Sequence, residues 1–203
     1  MIVIGLTGSI GMGKSTTAAM LRKMGCAVHS ADTVVHRLLA PDGAAVPAVA
    51  AEFPAALRPG GIDRQALGVL VFDQPERRRV LENILHPLVQ QEERKKHARA
   101  LAAGRRYLVL DIPLLFETGG DQRCHVTFCV SARPEQQRAR VLARPGMTEQ
   151  KFQAILAAQL TDAEKRARAD YTITTAYGRC VTWWQLRTVM SWVKSMKGAQ
   201  QPN

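Results

Sequence analysis

Eight residues near the amino terminus, Gly8-Ser-Ile-Gly11-Met-Gly13-Lys14-Ser15, satisfy the pattern GxxxxGK[ST]. An apolar β-branched run precedes them and good helix formers follow, which is the context the pattern needs to work as a phosphate-binding loop. Glycines let successive backbone N–H groups turn inward around phosphate oxygens, and the N-terminus of the following helix adds a favourable dipole. Lys14 is placed to neutralise β- and γ-phosphates and Ser15 to offer its hydroxyl to Mg²⁺. Gly11, Met12, Gly13, Lys14, Ser15 and Thr16 are thus the predicted ATP-binding segment.

Three further groups extend this chemistry. Asp111 ends the apolar run Tyr107-Leu-Val-Leu-Asp111, the position from which a carboxylate reaches Mg²⁺ directly or through water. Gln137, Arg140 and Arg144 recur at i, i+3 and i+7, so a helix puts them on one face, where arginines can close over a transferring phosphoryl group. Asp32 follows a short apolar run and can take the proton of an acceptor hydroxyl, because parallel strands bring their C-terminal ends to one edge. It can equally cap the helix that starts near Thr33. A guanine-specific hydrolase would normally show NKxD, yet the two asparagines, Asn83 and Asn203, lie in no such context. The residues point to a small kinase.

The elements that must carry these groups follow from periodicity. Residues 1–6, 27–29, 107–111, 125–130 and 171–174 read as strands. Helices are predicted over residues 14–24, 64–71, 75–85, 87–103, 135–143 and 149–160. Another carries Trp183, Leu186, Met190 and Val193 on one side and leads to a polar end, residues 197–203. Residues 34–105 contain no convincing strand and read as a helical insertion. Buried strands alternating with helices predict an α/β fold, a parallel sheet of about five strands with helices on both faces. The expected division is a nucleotide-binding core of residues 1–33, 106–132 and 166–203, the insertion of 34–105, and a helical lid of 133–165.

Composition narrows the partners. Lys and Arg number 28 against 17 Asp and Glu, a net charge of +11 in 203 residues. The basic residues are dispersed and no aromatic-basic RNA motif accompanies them, so a polyanionic small molecule explains part of the excess better than nucleic acid does. No stretch approaches the ~18 apolar residues of a membrane span, and residues 1–6 lack the basic flank of a signal peptide. A cytoplasmic protein, monomeric by default, is expected. Cys26, Cys124, Cys129 and Cys180 have no metal-ligand spacing and read as free thiols.

The order and spacing of several motifs are more selective than the loop. Gly5-Leu-Thr-Gly8-Ser-Ile-Gly11-Met-Gly13-Lys14-Ser15-Thr16, Ala31-Asp32, Ile62-Asp63-Arg64 with Phe72, His86-Pro87-Leu88, Asp111-Ile-Pro-Leu-Leu-Phe-Glu117, Gln137-x-x-Arg140-x-x-x-Arg144 and Ala169-Asp170 together resemble the dephospho-CoA kinase family from residue 3 to about 190. The resemblance implies a P-loop kinase-like fold and ATP-dependent phosphorylation of the ribose 3′-hydroxyl of dephospho-CoA, with Mg²⁺ as cofactor. It implies Asp32 as base, Lys14 and Arg140 as catalytic groups, Arg144 on ATP, Ser15 and Asp111 on the metal, and His86 and Glu117 on the acceptor side. The insertion would then hold the acceptor. Another small P-loop kinase and, behind it, a nucleic-acid-binding NTPase are the alternatives. One departure stands out: Ile173-Thr174-Thr175-Ala176-Tyr177-Gly178 lacks the aspartate common in the family there, so base selectivity does not follow from the resemblance.

Lys14 is expected to act as a point charge on phosphates and to pack against little else. Lys14→Ala should therefore fold normally and lose about 3–4 kcal/mol of transition-state stabilisation, a factor of hundreds in turnover. Turnover within a few-fold of the unsubstituted protein would contradict the loop assignment.

Overall fold

A computed structural model of the chain describes residues 1–71 and 74–196; Phe72 and the polar end 197–203 lie outside the described residues. The elements run β1 (Ile2–Thr7), α1 (Lys14–Lys23), β2 (Ala27–Ser30), α2 (Ala31–Leu38), α3 (Val46–Glu52), β3 (Leu57–Arg58), β4 (Gly61–Ile62), α4 (Arg64–Val71) and α5 (Pro75–Ala102). They continue β5 (Tyr107–Asp111), β6 (Val126–Ser131), α6 (Pro134–Leu142), α7 (Glu149–Ala157), α8 (Asp162–Arg168), β7 (Tyr171–Thr174) and α9 (Gly178–Ser195). The chain divides into two compact units, Met1–His29 with Ala100 onward, and Ser30–Arg99.

The first unit is built on the five-stranded sheet in the order β2-β5-β1-β6-β7. β1 pairs in parallel with β5 and β6, and β6 with β7. Alternation along β1 splits its side chains between two faces. Ile4 and Leu6 join Leu21, Val109, Phe128, Ile173, Leu186 and Val193 in a core that draws on α1 and α9. Val3 joins Leu108 and Leu110 in a smaller cluster. With β1 central and its neighbours β5 and β6 reached by crossovers on opposite sides, the loop after β1 sits at the switch point of the sheet.

The second unit packs Val34, Leu38, Val49, Phe53, Ile62, Leu67 and Leu85 into its own core. Two features depart from the sequence reading. Residues 57–62 form a small antiparallel hairpin, Leu57 opposite Ile62 and Arg58 opposite Gly61. Two-residue strands are too short for alternation to show, and the Pro59-Gly60 turn marks the hairpin instead. Gly61 has φ +98°, and a Cβ there would lie 2.7 Å from the Leu39 carbonyl oxygen. The second departure is α5, one helix of 28 residues that runs through Pro87, where two pieces were expected. Proline deprives the Asn83 carbonyl of its helical donor. Leu81, Ile84, Leu85 and Leu88 nevertheless bury against the same core on both sides of it, and that burial outweighs the break.

The residues 149–160 also differ from expectation. α7 stops at Ala157 and α8 starts afresh, because Thr161 and Glu164 form a reciprocal capping box. The Thr-x-x-Glu pattern is present in the sequence but the apolar spacing up to Leu160 masks it.

Leu186, fully buried in α9, joins that helix to the sheet core. Leu186→Ala should cost about 2–5 kcal/mol by equilibrium denaturation; a loss under 1 kcal/mol (about the size of a surface change) would show that α9 contributes little to the unit.

Candidate active site

The loop after β1 is held open by its glycines and gripped from outside by its neighbours. Gly11 has φ +77°, and a Cβ there would lie 2.5 Å from Val141 Cγ2 and 2.9 Å from the Gln137 carbonyl oxygen, so only glycine lets α6 approach this closely. Gly13, at φ +94°, stands at the N-terminus of α1. Gln137 Nε2 donates to the Ile10 carbonyl at 2.8 Å. Met12 is buried; its sulfur accepts from the Ala132 amide and its carbonyl accepts from Thr175 Oγ1, at 2.8 Å. The Met12 amide itself donates to the Ser9 carbonyl at 3.2 Å, so the loop is also tied to itself. Ser15 and Thr16 are exposed on the first turn of α1.

The sheet register sets Leu6, just before the loop, opposite Asp111 at the end of β5. Lys14 Nζ and Asp111 Oδ1 consequently meet at 2.5 Å, with side chains only 12% and 8% exposed. This corrects the expectation that Lys14 packs against little, and with it the expectation that Lys14→Ala folds normally. The lysine forms a largely buried ion pair within the first unit, and its removal strands the Asp111 carboxylate. A lysine, a strand-end carboxylate and the exposed Ser15 hydroxyl make a hard-oxygen donor set beside a cation. That donor chemistry suits Mg²⁺, which binds one or two protein oxygens together with nucleotide phosphates. No group of three or more His, Cys, Asp or Glu among the described residues could hold a metal by itself, in keeping with that mode.

Arg140 reaches back from α6 to the loop. Its Nη1 donates to Thr175 Oγ1 at 2.9 Å and to the Gly11 carbonyl at 3.4 Å, and its Nη2 to the Thr175 carbonyl at 3.0 Å. The guanidinium thereby ties α6 to the turn after β7 and to the loop. Arg144 lies two residues past the end of α6, exposed and unpaired among the described residues. A cavity of about 410 Å³ opens beside this rim, between Met12, Arg133, Gln137, Thr174, Ala176 and Tyr177. Arg138, on the other side of α6, pairs with Glu149 at 2.8 Å. Thr175 is the residue sequence reasoning missed: it was noticed for a lost aspartate, whereas its hydroxyl bonds to both the loop and Arg140.

Glu117, expected on the acceptor side, is otherwise engaged. Its Oε1 accepts from Lys165 Nζ at 2.8 Å and from the Leu160 amide at 2.9 Å. Lys165 is fully buried and also donates to the Pro113 carbonyl, which Thr7 Oγ1 reaches at 3.0 Å. The Asp111–Glu117 run is therefore a brace that joins the end of β1 to α8, and it engages only Oε1 of Glu117. Lys165 stands in the basic stretch Lys165-Arg166-Ala167-Arg168, and only its place opposite Glu117 explains its burial.

In the second unit, Asp32 is exposed on the first turn of α2. Ser30, not Asp32, is the cap: its Oγ accepts from the Thr33 amide at 3.4 Å. The capping alternative for Asp32 is thus removed. His86 is exposed on α5, with no hydrogen-bond partner among the described residues, so it is not the satisfied core histidine that a His-Pro pair could equally have been.

The Glu117–Lys165 pair carries a stability prediction. Burial raises the Glu117 pKa, but the hydrogen bonds from Lys165 and the backbone, with the lysine charge, outweigh it and hold the carboxyl below the usual range. A carboxyl lowered on folding stabilises fully above its unfolded pKa, and the contribution is lost as pH falls through the folded value. Glu117→Ala should cost about 3–5 kcal/mol at neutral pH, because it strands a buried charge, and adding Lys165→Met should recover part of that. The deficit should shrink below about pH 4. A pH-independent deficit in urea denaturation, or a double variant no more stable than the single, would contradict the pairing.

Comparison with known proteins gives the family of the chain. A family model described as dephospho-CoA kinase matches residues 2–178. The dephospho-CoA kinase of Paramagnetospirillum magneticum is 55% identical over 166 residues, 82% of this chain and 78% of that protein. That of Rhizobium meliloti is 49% identical over 190 residues, 94% of this chain and 97% of the relative. Among solved structures, TT1252 from Thermus thermophilus superposes with a TM-score of 0.83 at 36% identity, covering 97% of this chain and 98% of that one. A loop, a strand-end carboxylate and a braced Asp111–Glu117 run, in a chain matched along nearly its whole length, lead to one statement: the chain belongs to the dephospho-CoA kinase family.

Proposed function

We propose that this chain transfers the γ-phosphoryl group of ATP to the ribose 3′-hydroxyl of dephospho-CoA, giving coenzyme A and ADP. The observation that carries the reading is the Lys14–Asp111 pair at the mouth of the glycine loop, in a chain of this family. The acceptor oxygen forms the new bond to phosphorus, the bond from that phosphorus to the β–γ bridging oxygen breaks, and ADP leaves with the electron pair. Asp32 receives the hydroxyl proton as the bond forms, since the transition state is loose and early deprotonation is not required.

The loop amides, Lys14 and the exposed Arg144 bind and orient the phosphates. Asp111, paired with Lys14, keeps that cation in place while leaving a second carboxylate oxygen for the metal. Ser15 and Asp111 would hold Mg²⁺, which when bound supplies positive charge to the phosphate oxygens. Arg140 contributes through position: by joining Gly11 to Thr175 it fixes the rim against which the nucleotide base lies, and the cavity beside residues 174–177 supports that reading. Residues 34–105 act as the acceptor region and 133–165 as the lid, with His86 on the acceptor side. The enzyme is read as a cytoplasmic monomer without a nucleic-acid partner; no helix among the described residues is long and apolar enough to cross a membrane.

An acceptor panel of dephospho-CoA, adenosine, AMP and shikimate with ATP and Mg²⁺ tests the reading against other small P-loop kinases: dephospho-CoA should have the highest kcat/KM. Because Ser30 supplies the cap, Asp32→Asn should keep the melting temperature and both substrate affinities, yet turn over roughly 10²-fold to 10⁴-fold more slowly. An active Asp32→Asn enzyme would end the base assignment.

A further inference from the structure

Within the second unit, one cation is oriented by a histidine. Arg37 is paired with Glu92, which also holds Lys95 at 2.9 Å. Arg64, exposed at the first position of α4, has no carboxylate partner among the described residues; its Nη1 lies 3.1 Å from His36 Nδ1. A guanidinium has no acceptor, so His36 Nδ1 must accept, and the ring proton resides on Nε2. The adjacent Asp63 does not neutralise Arg64, because its carboxylate accepts from the amides of Gln65 and Ala66 at 2.9 and 3.2 Å. An exposed arginine is thus oriented by an imidazole rather than by a carboxylate.

The backbone makes that orientation firm. The Ile62 amide donates to the Leu39 carbonyl at 2.9 Å, which ties the approach to α4 to the end of α2, and the Asp63 amide donates to the Ala56 carbonyl at 2.8 Å, just before β3. Asp32 and His36 are four apart on α2, so they share one face, about 6 Å apart along it. That span is close to the reach of a ribose from its 3′-oxygen to its 5′-oxygen.

We infer that Arg64, oriented by His36, binds the 5′-diphosphate of the acceptor and makes this region selective for a nucleoside 3′-hydroxyl that carries such a diphosphate. The inference rests on the proposed function and extends it to recognition. With the 3′-hydroxyl at Asp32, the ribose runs along the α2 face and its diphosphate meets the guanidinium. Arginine's planar fork suits two phosphate oxygens at once, which an ammonium cannot match. His36 limits the rotamers of Arg64 before binding, so less entropy is lost when the diphosphate arrives. A nucleoside without the diphosphate makes no use of either residue.

The test is steady-state kinetics with dephospho-CoA as the varied acceptor and adenosine as a competitive inhibitor against it, on the full chain and its Arg64→Ala and Arg64→Lys variants. Arg64→Ala should raise KM for dephospho-CoA roughly tenfold or more, with a smaller change in kcat, as loss of a charge-assisted contact made in both ground and transition states. The adenosine inhibition constant should stay within about twofold of its original value, because adenosine has nothing for Arg64 to hold. Arg64→Lys should show the same separation at smaller size, and it decides the matter if Arg64→Ala does not fold. KM within about twofold of the original, or an inhibition constant that rises in step with KM, would overturn the inference while leaving the function intact. No turnover of dephospho-CoA by the unsubstituted protein would overturn the functional reading and this inference with it.

Discussion

The site depends on one ion pair, Lys14 to Asp111, and on the sheet order that makes it possible. β1 lies between β5 and β6, so the loop it feeds has the end of β5 on one side and the start of α6 on the other. Such a pair is not a stability device. Desolvating two charges costs several kcal/mol per ion, and their attraction returns that only when geometry is good. What the pair secures is position: a cation aimed at phosphate oxygens, backed by a carboxylate that fixes it and can face a metal.

Two braces keep the loop's surroundings rigid enough for that position to matter. On one side the Pro113 carbonyl gathers Thr7 and the buried Lys165, and Lys165 passes the restraint to Glu117 and Leu160. On the other, Arg140, Gln137 and Thr175 hold Ile10, Gly11 and Met12 by their carbonyls. These bonds engage loop carbonyls, which leaves loop N–H groups as the donors for an anion. The net charge of +11 then has an internal logic. Lys165 and Arg140 organise the frame, while Arg144 and Arg64 have no carboxylate partner among the described residues, and that is the charge the proposed reading assigns to polyanionic substrates.

Much of this could be read from the chain because the relevant signals are local. The glycine loop, the strand ending at Asp111 and the five strands each announce themselves by spacing or by a continuous apolar run. What escaped the sequence was decided by tertiary partners. Burial on both sides of Pro87 carried α5 through a residue that ends most helices. Lys165 looked like one more surface cation until Glu117 and Pro113 surrounded it. Glu117 is selective in the family pattern, and its place in a buried brace with Lys165 depends on a partner too far along the chain for local spacing to show. Asp32 shows the opposite case: two local roles were open, and the hydrogen bond from the Thr33 amide to Ser30 excluded one of them.

The account stands or falls on where the phosphoryl group goes. The most direct measurement is phosphorus NMR of the product formed from dephospho-CoA, ATP and Mg²⁺, with the new resonance correlated to the ribose protons. The account predicts one new phosphomonoester coupled to the 3′ proton, formed in step with ADP, with the 5′-diphosphate resonances retained. A phosphomonoester at the 2′ position or on the pantetheine arm, or ADP formation without any new ester, would contradict it.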